Sequence, residues 1–267
     1  MKEKIELLNK AIEAAVKGGK KILDIYNNPE ADFSIEKKAD NSPLTIADST
    51  SHETIVKLLE TTQYPVLSEE GKNIPFETRK DWDIFWLVDP LDGTKEFIKR
   101  NDEFTVNIAL IKNSVPVLGV IFVPVTGLLY VGEVDSGAWR INCQEKYIDW
   151  ETVTNDGTKL PETKDTKEYL VVGSRSHMNE KTTNYISELK SKHDSVNIVS
   201  KGSSLKICMV AEGAADEYPR FGPTMEWDTA AGHAIANAAG KKLWQTDFSG
   251  ELSYNKKNLL NPHFIVN

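Results

Sequence analysis

Apolar residues recur at helical spacing from the start of the chain. Ile5, Leu8, Ile12, Ala15, Val16, Gly19 and Ile22 share one face, so the pattern predicts an amphipathic helix over residues 3–26. A second helix is expected to follow Asp48 and run to Leu59. Pro65-Val66-Leu67 reads as a short strand ending in Ser68-Glu69-Glu70-Gly71, and residues 84–88 form a continuous apolar run stopped by Asp89-Pro90, the pattern of a buried strand. Strands near 104–112, 115–123 and 128–134 are separated by Asn113-Ser114 and Thr126-Gly127, which predicts hairpins of an antiparallel sheet. Residues 144–167, rich in Lys, Glu, Asp and Thr and containing Asn155-Asp156-Gly157 and Pro161, read as a surface excursion or link. Beyond it the pattern alternates: strand 168–173, helix 178–191, strand 195–199, helix 203–212, strand 215–219, helix 228–239 and strand 241–244. The fold class is therefore mixed α+β and α/β, without internal repeats.

Composition adds limits rather than detail. The chain has 267 residues, 40% hydrophobic and 27% charged, enough for one large domain or two modest ones. Its two cysteines, Cys143 and Cys208, lie far apart and imply neither a disulfide framework nor a zinc site. A formal charge of −8 argues against a general nucleic-acid binder, which gains affinity from a basic footprint. An anionic small molecule then needs metal ions or a local cationic pocket to invert the field. The N-terminus carries no signal-peptide pattern. The longest apolar run, 115–125, is broken by Pro116 and Pro124 and too short to span a bilayer, so no integral membrane segment is expected. The expected location is cytoplasmic, with peripheral association at the inner face of the membrane left open.

The strongest chemical signal is Asp89-Pro90-Leu91-Asp92-Gly93-Thr94. Two carboxylates and the backbone carbonyl between them suit a hard cation such as Mg²⁺, which takes oxygen ligands in near-octahedral geometry. Gly93 allows close backbone approach, and a helix starting there would offer the free amides of Gly93 and Thr94 to an anion. Read alone, the segment fits a simple turn better than a catalytic centre. Glu69 and Glu70 fit solvated charge, while Asp48 and Asp228 fit helix N-caps, although a cap can also be a ligand. His233, one turn after Asp228, is expected to pack or hydrogen-bond, because an all-oxygen magnesium site does not favour imidazole. Trp86 is expected in the buried strand and Trp227 beside the site.

Taken in order, Pro65–Gly71, Trp86–Phe97 and Trp227–His233 resemble the signatures of the magnesium-dependent, lithium-sensitive inositol monophosphatase superfamily. Asp40–Thr45, Gly93–Leu110, Gly202–Lys206 and Tyr218–Gly222 resemble its 3'(2'),5'-bisphosphate nucleotidase branch in particular. The resemblance covers nearly the whole chain and weakens over 140–167 and the last 25 residues. It implies a layered αβαβα sandwich in two parts, 1–160 with most metal ligands and 161–267 with Asp228 and the nucleotide contacts, and one site between them. It places Glu69, Asp89, the Leu91 carbonyl, Asp92 and Asp228 on metal ligands for two or three Mg²⁺. Asp48 and Thr94 fall on the pair that orients the attacking water, and Gly93, Thr94, His177, Ser203, Lys206 and Arg220 on substrate contacts.

The activity so implied is hydrolysis of the 3'-phosphate of adenosine 3',5'-bisphosphate to AMP and phosphate, in sulfur metabolism, with the 3'-phosphorylated phosphosulfate as a further substrate. The alternatives are a phosphatase for inositol monophosphate or fructose 1,6-bisphosphate, and a non-catalytic metal-dependent binder of a phosphorylated ligand. The presence of both Asp48 and Thr94 speaks against the binder, which has no water to aim. Neither glycine fingerprint of a dinucleotide or P-loop enzyme is present. A monomer and a homodimer both remain compatible with the sequence.

Overall fold

The computed structural model describes residues 2–28, 36–37, 43–143, 148–163, 168–174 and 179–267. Helix α1 (Lys2–Tyr26) is followed by a short antiparallel pair, β1 (Glu36–Lys37) and β2 (Pro43–Leu44), and by α2 (Ile46–Leu59). Next come β3 (Val66–Ser68), α3 (Phe76–Arg79), β4 (Ile84–Asp92) and α4 (Thr94–Ile98). Strands β5 (Thr105–Lys112), β6 (Val115–Val123), β7 (Leu128–Glu133) and β8 (Gly137–Asn142) then run as a meander, followed by α5 (Trp150–Asp156) and β9 (Thr158–Leu160). The remainder comprises β10 (Tyr169–Ser174), α6 (Glu180–Lys192), β11 (Val196–Lys201), α7 (Leu205–Glu212), β12 (Tyr218–Arg220), α8 (Glu226–Ala238), β13 (Leu243–Gln245) and β14 (Phe264–Val266).

Strands β3 to β9 make one seven-stranded sheet in sequence order, antiparallel except for the β3–β4 pair. The Asn113-Ser114 turn predicted from sequence closes β5 onto β6 with both residues left-handed, at φ 50° and 63°, which matches the twist of the hairpin. Strand β4 lies inside the sheet, which explains its unbroken apolar run. Trp86 and Val88 point to one face and Phe85 and Leu87 to the other, and all four are buried.

The first face carries α1 and α2, whose Leu8, Ile12, Ile22 and Ile55 are fully buried against it. Each such side chain contributes roughly 1.5–3 kcal/mol relative to exposure. The second face carries α8, which crosses β4 to β8 and packs on α7. Two glycines make room for it. Gly119 and Gly132 pair across β6 and β7, and a Cβ at either would lie 2.2 Å from the Ala231 carbonyl oxygen or 2.5 Å from the Ile235 Cα. Beyond these helices lie the parallel pair β10–β11 and the three-stranded sheet β12–β14–β13, with α6 outermost against β12. This is the expected layered αβαβα order.

Three expectations from sequence needed correction. Strand β4 does not stop at Asp89-Pro90 but continues to Asp92. Residues 144–167 are only partly an excursion, because α5 and β9 fall within them and β9 extends the large sheet beside β8. Neither β8 nor β14 was anticipated, since Gly-Ala-Trp-Arg-Ile-Asn and the short Phe-Ile-Val are weak strand patterns that pairing with neighbours completes. Cys143 and Cys208 are free and buried. Among the described residues, no helix is long and apolar enough to cross a membrane.

Candidate active site

The end of β4 is shaped by its pairing with β5. Asp89 is opposite Asn107 and Asp92 opposite Thr105, so the β4 side holds one residue more than the β5 side. In a regular strand, residues three apart point to opposite faces; the extra residue of a bulge turns Asp89 and Asp92 to the same side. The Leu91 N–H donates to Asp89 Oδ1 at 3.1 Å, and the Ser51 hydroxyl of α2 holds the Pro90 carbonyl at 2.9 Å. Gly93 then adopts φ 94°, and α4 begins at Thr94.

Asp228 joins these two from the other half of the chain. It is the third residue of α8, not its N-cap as the sequence suggested, and its Oδ2 accepts the Met225 N–H at 2.8 Å. Carboxylate oxygens of Asp89, Asp92 and Asp228 all lie within 4.8 Å of one another. Glu69, just beyond β3, adds a fourth carboxylate that interacts with Asp89 and Asp228. Burial, followed by repulsion from Glu69, Asp92 and Asp228, pushes the Asp89 carboxyl well above the usual range. Asp228 is raised for the same reasons, with Asp92 the stronger neighbour. Burial also raises Asp92, opposed by Lys206 and by hydrogen bonds from Ser204 and Asn107. Groups with raised folded pKa values stabilise the fold at low pH, and that contribution is lost as pH rises through those values. The crowding of hard oxygen donors is what a divalent cation relieves, and the all-oxygen set fits Mg²⁺ better than a softer metal.

Asp48, expected as an N-cap, is the third residue of α2 and is 1% exposed. Its Oδ2 closes a capping box by accepting the Thr45 N–H at 2.8 Å. Its Oδ1 accepts the Thr94 hydroxyl at 3.0 Å, so one carboxylate serves both the helix end and the site.

These groups open into a cleft of about 540 Å³ lined by Glu69, Asp92, Gly93, Thr94, Ser203, Lys206, Arg220 and Asp228, with Tyr218, Met225, Trp227, Leu260 and Phe264 as apolar wall. Lys206 and Arg220 are 6% and 8% exposed. Lys206 Nζ donates to the Ser203 carbonyl and Arg220 Nη2 to the Pro223 carbonyl, both neutral acceptors, while Arg220 Nε is buried without a partner among the described residues. Burial lowers the Lys206 ammonium to about 8, opposed by Asp92. His177 lies outside the described residues. His233 packs as expected, with Nδ1 3.0 Å from the Tyr254 hydroxyl and Nε2 2.9 Å from Glu251.

Asn107 and Thr105 were missed from sequence. Both lie beside Asp92, and their signal was a polar pair at period two in an otherwise apolar strand.

Residues 3–265 match the Inositol monophosphatase family. The chain belongs to this family. It is 44% identical to a 3'(2'),5'-bisphosphate nucleotidase CysQ from Shigella flexneri over 264 residues, covering 97% of this chain and 99% of that protein. The fold superposes on the crystal structure of CysQ from Bacteroides thetaiotaomicron, a bacterial member of the inositol monophosphatase family, with a TM-score of 0.91 and 52% identity over 98% of this chain and 97% of that one. Inositol monophosphatase from Anabaena shares the family fold at 23% identity and a TM-score of 0.70, covering 100% of this chain and 92% of its own.

Proposed function

We propose that this family member hydrolyses the 3'-phosphate of adenosine 3',5'-bisphosphate to AMP and phosphate, with Mg²⁺ held by Glu69, Asp89, Asp92, Asp228 and the Leu91 carbonyl. The carrying observation is the pairing, in one cleft, of a carboxylate cluster with two buried cations whose hydrogen bonds, among the described residues, go to neutral carbonyls. Lys206 feels Asp92 and Arg220 feels Asp228 through space, but their hydrogen bonds among the described residues go to neutral carbonyls, so both cations suit a second phosphate at this site. The apolar wall of Trp227, Tyr218 and Leu260 gives room for a nucleoside between them. The names of the CysQ relatives agree with this substrate.

When bound, Mg²⁺ supplies neutralisation of phosphate oxygens and lowers the pKa of the attacking water. The chain's own groups do the positioning. The single Thr94 hydroxyl proton has Asp48 Oδ1 at 3.0 Å and the Leu91 carbonyl at the longer 3.4 Å, and with that proton on either acceptor the hydroxyl offers lone pairs to a water in the cleft. That fixes the water's orientation toward phosphorus, and no covalent enzyme intermediate is required. In this reading residues 1–160 and 161–267 act as one catalytic unit, because Asp92 and Asp228 come from different parts.

The test is phosphate release from adenosine 3',5'-bisphosphate, inositol monophosphate and fructose 1,6-bisphosphate side by side, for wild type and Lys206→Ala. The bisphosphate nucleotide is expected to be preferred. Lys206→Ala should raise its KM by about 10–100-fold, the loss of one charged hydrogen bond, and leave KM for inositol monophosphate nearly unchanged. A wild-type preference for inositol monophosphate would overturn the substrate assignment.

A further inference from the structure

Serine is favoured at helix N-caps because its hydroxyl accepts an N–H of its own helix. Ser204 occupies the N-cap of α7 yet makes no such bond. Its Oγ lies instead 2.9 Å from Asp92 Oδ2 and 2.9 Å from the Asp228 main-chain oxygen. Asn107 Nδ2 donates to Ser204 Oγ at 2.9 Å and lies 3.4 Å from Asp92 Oδ2, and the orientation of that amide is set by Thr105, whose hydroxyl donates to Asn107 Oδ1 at 2.9 Å. With a lone pair occupied by Asn107, the single proton of Ser204 is confined to Asp92 and Asp228.

The preceding turn is built to deliver this hydroxyl. Ser203 is left-handed at φ 43°, and the Gly202 N–H is held by the Glu103 carboxylate at 2.8 Å. A Cβ at Gly202 would come within 2.9 Å of the Glu103 carbonyl oxygen, so the turn is pressed against the chain that leads into β5. Ser204 is 2% exposed and serves no surface role.

We infer that Ser204 is a positioning residue that holds the Asp92 carboxylate of β4 against the backbone of α8 at Asp228, its single proton serving one of these two acceptors at a time, and so orients Asp92 for a divalent cation. The inference rests on the reading that this cluster holds Mg²⁺. It also links the cation site to the start of the helix that carries Lys206, so metal and the second phosphate are sensed by one rigid turn.

Calorimetric titration of Mg²⁺ into chelator-stripped protein, without substrate, tests it. Ser204→Ala is expected to weaken Mg²⁺ binding by about 10–100-fold, the usual effect of removing a group that orients a ligand. Asn107→Ala removes the donor to Ser204 and a longer direct contact to Asp92 Oδ2 at 3.4 Å, so it should also weaken binding, and the double variant should lose less than the sum of the two. At saturating Mg²⁺, kcat should fall in Ser204→Ala while KM stays unchanged. Wild-type Mg²⁺ affinity in Ser204→Ala, or strictly additive losses, would overturn the inference. Should Ser204→Ala not fold, Ser204→Cys, near in size but only a weak donor, decides in the same way: a weakened affinity supports the inference and a wild-type affinity overturns it. Wild-type protein that takes up no Mg²⁺ overturns the metal reading itself, and this inference with it.

Discussion

Replacing Asp92 with asparagine is expected to lower turnover by roughly 10³-fold, about 4 kcal/mol of transition-state stabilisation, while the fold persists. Asparagine has nearly the same shape and can still accept from Ser204, whose hydroxyl lies 2.9 Å from Asp92 Oδ2. It cannot supply an anionic ligand. Because burial raises the Asp92 carboxyl in the metal-free protein, a neutral amide there removes repulsion toward Asp89 and Asp228. The melting temperature without metal should equal or exceed that of wild type, and the rise on adding Mg²⁺ should shrink. Thermal melts with and without Mg²⁺, beside a phosphate-release assay, check both parts. Wild-type turnover in Asp92→Asn would remove this residue from the metal site.

Thr94→Val should cut kcat by about 10²-fold or more and leave both KM and Mg²⁺ affinity close to wild type. The reason is the division of labour at Asp48. Its Oδ2 is engaged by Thr45 and its Oδ1 by Thr94, so the pair is fixed before any ligand arrives. Valine keeps the volume and removes the acceptor that faces the water. Thr94→Ser, which keeps the hydroxyl, should recover most of the rate, and Asp48→Asn should resemble Thr94→Val. Steady-state kinetics at saturating Mg²⁺ separates the cases. A change confined to KM would mean that Thr94 binds substrate and does not orient water.

How much of this was legible beforehand varies with the kind of interaction. The core of the large sheet was plain, because the apolar run of β4 and the turn residues between β5, β6 and β7 are local signals. Strands β8, β9 and β14 were not: β8 is a weak pattern completed by its hairpin partner β7, while β9 and β14 pair with strands further away along the chain. The acidic segment could be found but not shaped. Its tight turn is a bulge inside a continuing strand, and a bulge is specified by the partner strand as much as by its own residues. Asp48 and Asp228 illustrate a second limit. Each read as a cap, and each does accept a backbone N–H at its helix start, but from the third helical position. For Asp48 that placement leaves Oδ1 to hold the Thr94 hydroxyl. Asn107 and Ser204 show a third. One is a polar residue in a buried strand and the other a serine at a helix start, and only the folded chain reveals that they meet.

The central claim, a metal-dependent bisphosphate phosphatase centred on Asp89, Asp92 and Asp228, is tested most directly by the rate of phosphate release from adenosine 3',5'-bisphosphate as Mg²⁺ is added back to chelator-stripped protein. The prediction is no turnover without metal and a saturable rise with Mg²⁺. Undiminished turnover in the presence of chelator would contradict it.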